Sequence, residues 1–292
     1  MKITELFERG EFVVSAEVGP PKGFHVEHLI EEAKTYLSGI TAVNVTDNQS
    51  SVMRLGSLAM CKALKDEGLT PIFQLTCRDR NRIALQSDLL SAAMFGIENL
   101  LLLTGDHTKM GDHPQAKPVF DLDSVSLIHT VKKLEEGVDL GGNPLIGEPP
   151  SFAKGAVVSP CSDSIDAQLA KMERKVRAGA DYFQTQAVFE PEKFIKFMEK
   201  AKQFGKPVQV GIIIPKSVGM ARFMNNNVAG VHVPEEMIEE LKKDKEKTKA
   251  GITGVEIAAR IIKECKPYCQ GVHIMALGWE SKVPELLKQA GI

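Results

Sequence analysis

Asn99-Leu100-Leu101-Leu102-Leu103-Thr104-Gly105-Asp106 is the stretch that decides the fold. Four consecutive leucines carry no polar alternation, which suits a strand buried on both faces, as in a parallel sheet covered by helices. The turn at Thr104-Gly105 ends that strand and presents the carboxylate of Asp106. In parallel α/β folds chemistry gathers at the carboxyl ends of the strands, so Asp106 falls on the functional rim. Gly105 lets backbone approach a ligand closely. The competing role for Asp106 is structural, as the cap of the helix that follows.

The same strand-then-helix unit repeats on both sides of this stretch. Phe12 to Glu17 reads as a first buried strand, broken by Val18-Gly19-Pro20-Pro21, with a helical spacing of Leu29, Ile30, Ala33 and Leu37 over roughly 25–38. Ile40 to Val45 is a second strand, ending at Thr46-Asp47-Asn48, and 53–67 the next helix. Thr70 to Leu75, closed by Thr76-Cys77-Arg78, is the third, followed by a helix over about 80–95 and the opening strand at 98–103. After a glycine- and proline-containing loop at about 107–122 come a helix at 123–136, a strand at Ala153–Val158 and a helix at 163–178, whose Ala178-Gly179 is a C-cap signal. Asp181–Gln186 and Val208–Ile214 are strands six and seven, with a helix at 190–203 between them. Gln270–Met275 is the eighth strand, and Val283–Gln289 a closing helix.

Eight such units predict a single (β/α)8 TIM barrel spanning residues 1–292 as one catalytic domain. A doubly wound open sheet is the alternative; the G-x-G-x-x-G fingerprint it would need after strand one is absent. About 55 residues separate strands seven and eight, and extra helices are expected there. The charge run Lys242-Lys243-Asp244-Lys245-Glu246-Lys247-Thr248-Lys249 reads as a solvated helix face or turn.

Composition narrows the class further. The chain is 43% hydrophobic and 25% charged, with a formal net charge of -2, so nothing draws it generally to nucleic acid or to an anionic membrane. No apolar run is long enough to span a bilayer, the charged N-terminus is unlike a signal peptide, and five cysteines without framework spacing suit reduced thiols. A cytoplasmic protein is expected, and homo-oligomerisation is left open.

The strand ends bring Glu17, Thr46, Thr76, Asp106, Ser159 and Gln186 to one rim. Two carboxylates across a barrel mouth suit one acid that protonates a substrate and one anion that stabilises developing positive charge. Other candidates are weaker. The seven histidines form no H-E-x-x-H pattern, so no metal site is expected from them. Cys265 and Cys269 have ligand-like spacing but lack two further ligands nearby, which favours ordinary buried thiols. Cys77 and Cys161 sit at strand ends, where a lowered pKa would make them reactive.

Ala16-Glu17-Val18-Gly19-Pro20-Pro21, Val45-Thr46, Leu75-Thr76-Cys77, Leu103-Thr104-Gly105-Asp106, Arg174-Lys175 leading to Ala178-Gly179-Ala180, and Thr185-Gln186 occur in that order. The ordered set resembles the methylenetetrahydrofolate reductase family of flavin-dependent barrels, over essentially the whole chain and in its compact form. The resemblance implies Glu17 as the general acid that protonates N10 of methylenetetrahydrofolate, and Asp106 as the carboxylate that stabilises the resulting 5-iminium cation. It implies Gln186, with Asp106, as a folate contact. Thr46, Thr76, Gly105, Asp106, Ser159 and Lys175 would then surround the flavin, FAD before FMN. The chain departs from the family pattern at Ser159-Pro160-Cys161-Ser162-Asp163, at Gln74 where a histidine is common, and at Lys216 to Asn225, which lacks the family's glutamine. These segments bear on how a nicotinamide is held. Electrons are therefore expected from NAD(P)H or, as in compact members, through a small partner subunit with iron–sulfur or zinc centres. Two other functions compete: a lyase or aldolase using a Schiff-base lysine, for which Lys154 lies on the wrong rim, and a non-catalytic barrel subunit.

Overall fold

The computed structural model describes residues 1–243 and 252–292. Its strands are β1 (Val13–Val18), β2 (Ala42–Val45), β3 (Pro71–Thr76), β4 (Asn99–Leu103), β5 (Ala153–Val158), β6 (Tyr182–Ala187), β7 (Val208–Ile213) and β8 (Gly271–Met275). All pair in parallel, each with its sequence neighbour, and β8 closes the barrel on β1 through Val13↔Gly271 to Ala16↔Ile274. Helix α1 (Ile3–Glu8) precedes β1, and α2 (Glu27–Tyr36), α3 (Ser57–Asp66), α4 (Arg82–Met94), α5 (Ser124–Glu135), α6 (Ile165–Ala178) and α7 (Pro191–Ala201) each link one strand to the next. The expected extra helices between β7 and β8 are α8 (Val218–Asn227) and α9 (Glu235–Lys243), before α10 (Ile252–Cys265); α11 (Val283–Ala290) ends the fold. Lys242 and Lys243 belong to α9, whereas the rest of the charge run lies outside the described residues.

The leucine run of β4 shows how the strands are used. Leu100 and Leu102 face outward into the core beneath the helices, while Leu101 faces the barrel interior. Both faces are apolar, hence the missing alternation. Inside, the barrel is layered. Val13, Ala42, Ile72, Leu101, Ala153 and Tyr182 form an apolar floor, and Ile3 and Leu6 of α1 pack into it with Phe7 alongside. The plug is pinned by Asn99, whose Oδ1 accepts from Ile3 N at 2.8 Å while its Nδ2 donates to the Met1 carbonyl. Gly155 makes room for the Tyr182 ring: a Cβ there would stand 2.4 Å from Cζ. The freed ring donates its hydroxyl to the Leu100 carbonyl at 2.8 Å.

Two residues further along the strands the interior turns polar. Ser15, Asn44, Gln184, Gln209 and His273 are all buried there and hydrogen-bonded to one another. This middle layer separates the floor from the mouth.

Candidate functional site

One residue pair beyond the polar layer, β1 delivers Glu17, whose side chain is only 12% exposed. Gln74 Nε2 donates to its Oε1 at 3.4 Å, and His273 Nε2 lies 3.4 Å from the same oxygen. Its Oε2 is buried with no partner among the described residues. A bare buried carboxylate oxygen is costly, and the native chain keeps one here. Glu17 lines a cavity of about 370 Å³ with Glu32, Arg54 and Leu277. Leu277 adopts φ 53°, a left-handed conformation that disfavours branched side chains and clusters at functional sites.

A second cavity of about 370 Å³ opens between the ends of β2, β3, β4 and β5 and the face of α6. Thr46, Thr76, Gly105, Asp106, Ser159 and Lys175 all line it, so six of the eight residues singled out from the sequence meet around one space. Glu17 lies outside it, linked through Gln74, which lines the cavity and contacts Glu17. Gln186 lines neither cavity; its Oε1 accepts from Ala187 N at 3.0 Å.

Local sequence explains the lining. Gly105 has φ +90°, and a Cβ there would press on Thr76 Cβ at 3.1 Å and Arg78 Cβ at 3.2 Å. Asp106 is exposed and caps no helix, because α5 is capped by Asp123 in a reciprocal capping box with Ser126. Its carboxylate is thereby left free for solvent or ligand. Thr46 is 2% exposed and its Oγ1 has no partner among the described residues. Lys175 donates to the Val157 carbonyl at 2.6 Å. Burial, then the like charge of Lys171, pulls its pKa down to about 8.

Several lining residues escaped the sequence reading. Gln168 and Lys171 precede Lys175 by seven and four positions on α6, so one helix face supplies all three, a spacing that was available as a signal. Arg78 is 2% exposed; it grips Asp79 through Nε and Nη2 and reaches the Asp106 carbonyl with Nη1 at 3.5 Å. Beneath the cavity the buried Asp47 accepts from Thr76 N and Oγ1 at 2.9 and 2.8 Å and pairs with Arg80 at 2.7 Å. Asn48, Ser50 and Ser51 beside it all have positive φ. Three left-handed non-glycine residues in four positions mark this turn as held by its surroundings.

The remaining candidates do other work. Burial first, aided by neighbouring carboxylates, pushes the thiols of Cys77 and Cys161 up to about 12, so neither is a thiolate at neutral pH. Cys265 and Cys269 are buried, and the Cys269 thiol is engaged with the Cys265 and Gly271 carbonyls. Lys154 sits at the opposite end of the barrel from the mouth. Burial opposes its charge, but Glu135 at 2.8 Å and Asp181 at 3.0 Å outweigh it and raise its pKa. A lysine held protonated is a poor Schiff-base nucleophile.

An eight-stranded barrel with a largely buried acid, an orphaned hydroxyl and a cavity lined by two lysines, an arginine and two aspartates at its mouth belongs to the class of (β/α)8 enzymes that work at their strand ends. The family model for methylenetetrahydrofolate reductase matches residues 2–291, and the chain belongs to that family. It is 26% identical over 312 residues to methylenetetrahydrofolate reductase 2 of Schizosaccharomyces pombe, covering 100% of this chain but 48% of that protein, so it spans about half that relative's length. It is likewise 26% identical over 265 residues to the 5,10-methylenetetrahydrofolate reductase of Salmonella typhimurium, covering 87% of this chain and 82% of that one. Among solved structures it is similar to a Clostridium thermocellum protein described as binding two copies of 5-methyl-5,6,7,8-tetrahydrofolic acid, with a TM-score of 0.69, 15% identity, and 99% and 96% of the two chains covered. The barrel is also similar to that of 2,3-dimethylmalate lyase, with a TM-score of 0.54, 12% identity, and 100% and 88% of the two chains covered. At those identities the two structures speak to the fold alone.

Proposed function

We propose that the chain is a single catalytic barrel that reduces 5,10-methylenetetrahydrofolate to 5-methyltetrahydrofolate, with a flavin in the cavity between β2, β5 and α6. Besides family membership, the observation that carries this reading is Glu17, a carboxylate buried at the mouth with one oxygen bare. Opening the imidazolidine ring needs a proton at N10, and Glu17 Oε2 has no partner among the described residues to compete for it. Asp106, uncapped and exposed at the rim, is the anion that would stabilise the iminium cation left behind. Gln186, anchored through its Oε1, keeps its amide N–H groups for the folate.

The donor chemistry of the cavity fits a flavin. The orphaned Thr46 Oγ1 suits its polar edge, Gly105 brings backbone to the cavity wall, and Lys175, Lys171 and Arg78 supply positive charge. The flavin, FAD before FMN, supplies the hydride when bound. The Ser159–Asp163 segment and the Lys216–Asn225 region depart from the family pattern, which favours electrons arriving through a small iron–sulfur or zinc partner over direct NAD(P)H oxidation. Stopped-flow mixing of the isolated chain with NADH tests this last point. Rapid flavin bleaching at micromolar NADH with no partner present overturns the partner reading.

The whole reading is tested by cofactor release on denaturation and by assay with methylenetetrahydrofolate and a chemically reduced flavin. A protein that takes up no flavin overturns it. The lyase reading draws on one observation, the lowered pKa of Lys175 beside the cavity. Borohydride trapping with a 2-oxo acid, read as a mass increase on Lys175, would favour it.

A further inference from the structure

The amides of the polar layer have a direction, and it can be followed to the acid. Gln209 Nε2 faces the backbone carbonyls of Val13 and Val272, both at 3.3 Å. Carbonyls only accept, so this end of the side chain is the amino end and the orientation of Gln209 is fixed. Its Oε1 then needs a donor, and Gln184 Nε2 supplies one at 3.0 Å. Gln184 in turn makes a reciprocal amide pair with Asn44, at 2.9 and 3.2 Å. Each amino group has two hydrogens for three acceptors: the shortest contact of Gln209 Nε2 is to Ser15 Oγ at 3.1 Å, whereas Gln184 Nε2, closer to Gln209 and Asn44, stands 3.3 Å from Ser15 Oγ.

Ser15 has two acceptor sites and one proton. The glutamines face it with amino groups, which cannot accept its proton, so the hydroxyl is left to donate to His273 Nδ1 at 3.1 Å. An imidazole that accepts at Nδ1 carries its proton on Nε2, the nitrogen 3.4 Å from Glu17 Oε1. A ring protonated at Nδ1 would leave the Ser15 hydroxyl facing donors alone, with no acceptor for its proton. Oε1 therefore meets N–H groups from His273 and Gln74, and the only place left on Glu17 for a proton is the unpartnered Oε2.

We propose that Gln184 and Gln209 are positioning residues for the acid: through Ser15 they hold His273 as its neutral Nε2–H tautomer, which reserves Oε2 of Glu17 for the transferable proton. This rests on Glu17 being the acid, but the tautomer can be read without any turnover. The other titratable groups facing Glu17 are Glu32 and Glu280 with Arg54, across its cavity; the groups below it are neutral amides and a hydroxyl. The support below the acid is electrically neutral, so the charges that bias its two forms are those of Arg54, Glu32 and Glu280 across the cavity.

The experiment is nitrogen NMR of histidine-labelled protein, with the His273 resonances identified by their loss in His273→Gln. The expected spectrum shows a pyridine-type Nδ1 and a pyrrole-type Nε2. In Gln184→Met/Gln209→Met, Ser15 is free to turn, and a mixture of tautomers is expected. Turnover should fall about tenfold while KM for folate stays within about twofold, the signature of a proton-transfer defect. Should the double variant fail to fold, Ser15→Ala removes one hydroxyl and carries the same expectation for the tautomer. A wild-type ring protonated at Nδ1, or an unchanged Nε2–H ring in the variant, overturns the proposal. An Nε2–H ring in a protein whose Glu17→Gln variant turns over normally overturns instead the assignment of Glu17, leaving the tautomer mechanism standing.

Discussion

The floor and the mouth of the barrel are built on the same strands a few residues apart, and they obey opposite rules. At the floor Val13, Ala42, Ile72, Leu101, Ala153 and Tyr182 close on one another and on α1, and Asn99 satisfies the backbone of the plug. At the mouth Glu17 Oε2 and Thr46 Oγ1 are buried without partners among the described residues, Lys175 is held below its ordinary pKa, and Asn48, Ser50, Ser51 and Leu277 sit at positive φ. One end spends its residues on packing and the other accepts local costs that a ligand can relieve. Such a split separates stability from function along the barrel axis, and it can be attacked from either side.

The largest effect should come from the floor. Leu101→Ala removes a side chain that is 3% exposed, and a loss of about 2–5 kcal/mol is expected, with turnover per folded molecule unchanged. Urea unfolding beside active-site titration measures both quantities. A floor mutation that changed turnover per folded molecule would erase the division. Next is Glu17→Gln at the mouth: a loss of turnover of about a hundredfold, with flavin retained and the unfolding midpoint nearly unmoved. Near-normal steady-state turnover would remove Glu17 from the acid role.

Lys175 gives a pH test. Its folded pKa, about 8, lies below the ordinary 10.5, so between those values the unfolded chain binds more protons and stability rises with pH. Lys175→Met should therefore be more stable than the parent at neutral pH, by on the order of 1–3 kcal/mol, and the advantage should vanish towards pH 10.5. Unfolding curves at several pH values show whether the gap closes; a constant gap would mean that lost packing, not charge, sets it. The smallest effect is that of Thr46→Val. Removing an unsatisfied buried hydroxyl should leave the flavin-free protein unchanged or stabilised by up to about 1 kcal/mol while weakening flavin uptake. A clear drop in Tm would show that the hydroxyl has a structural partner after all.

Much of this division was legible in the sequence, and the part that was not has physical reasons. A strand such as β4 announces itself by an apolar run suited to two buried faces, and Ala153–Val158, read as a strand from its sequence, is a strand with those very bounds. Five of the six residues around the cavity between β2, β5 and α6 are found by the rule that strand ends carry chemistry, since they lie at or within three residues of a strand's end; Lys175, on α6, is reached only through the family resemblance. The plug was not legible. Six residues of amphipathic helix resemble any charged N-terminal turn until the floor they enter is assembled. Nor was the direction of the polar layer, because Gln184 and Gln209 read as ordinary members of strands. The available signal was a buried glutamine in each of two adjacent strands, which cannot stay unpaired and so foretells a network. Whether Asp106 caps its helix was undecidable until Asp123 was seen to fill that place with Ser126.

The plug also bears on how the chain acquires its shape. Ile3 and Leu6 are synthesised before the strands that receive them, and their seat is made from side chains as distant as Leu101, Ala153 and Tyr182. That seat does not exist until six strands have been synthesised and curled towards closure. The contacts of α1 are therefore among the least local in the molecule, the kind whose loop-closure cost must be met before they yield any stabilisation. Until then α1 is an amphipathic segment without a seat, exposed to chaperones and proteases, and it can be captured only as the floor is completed.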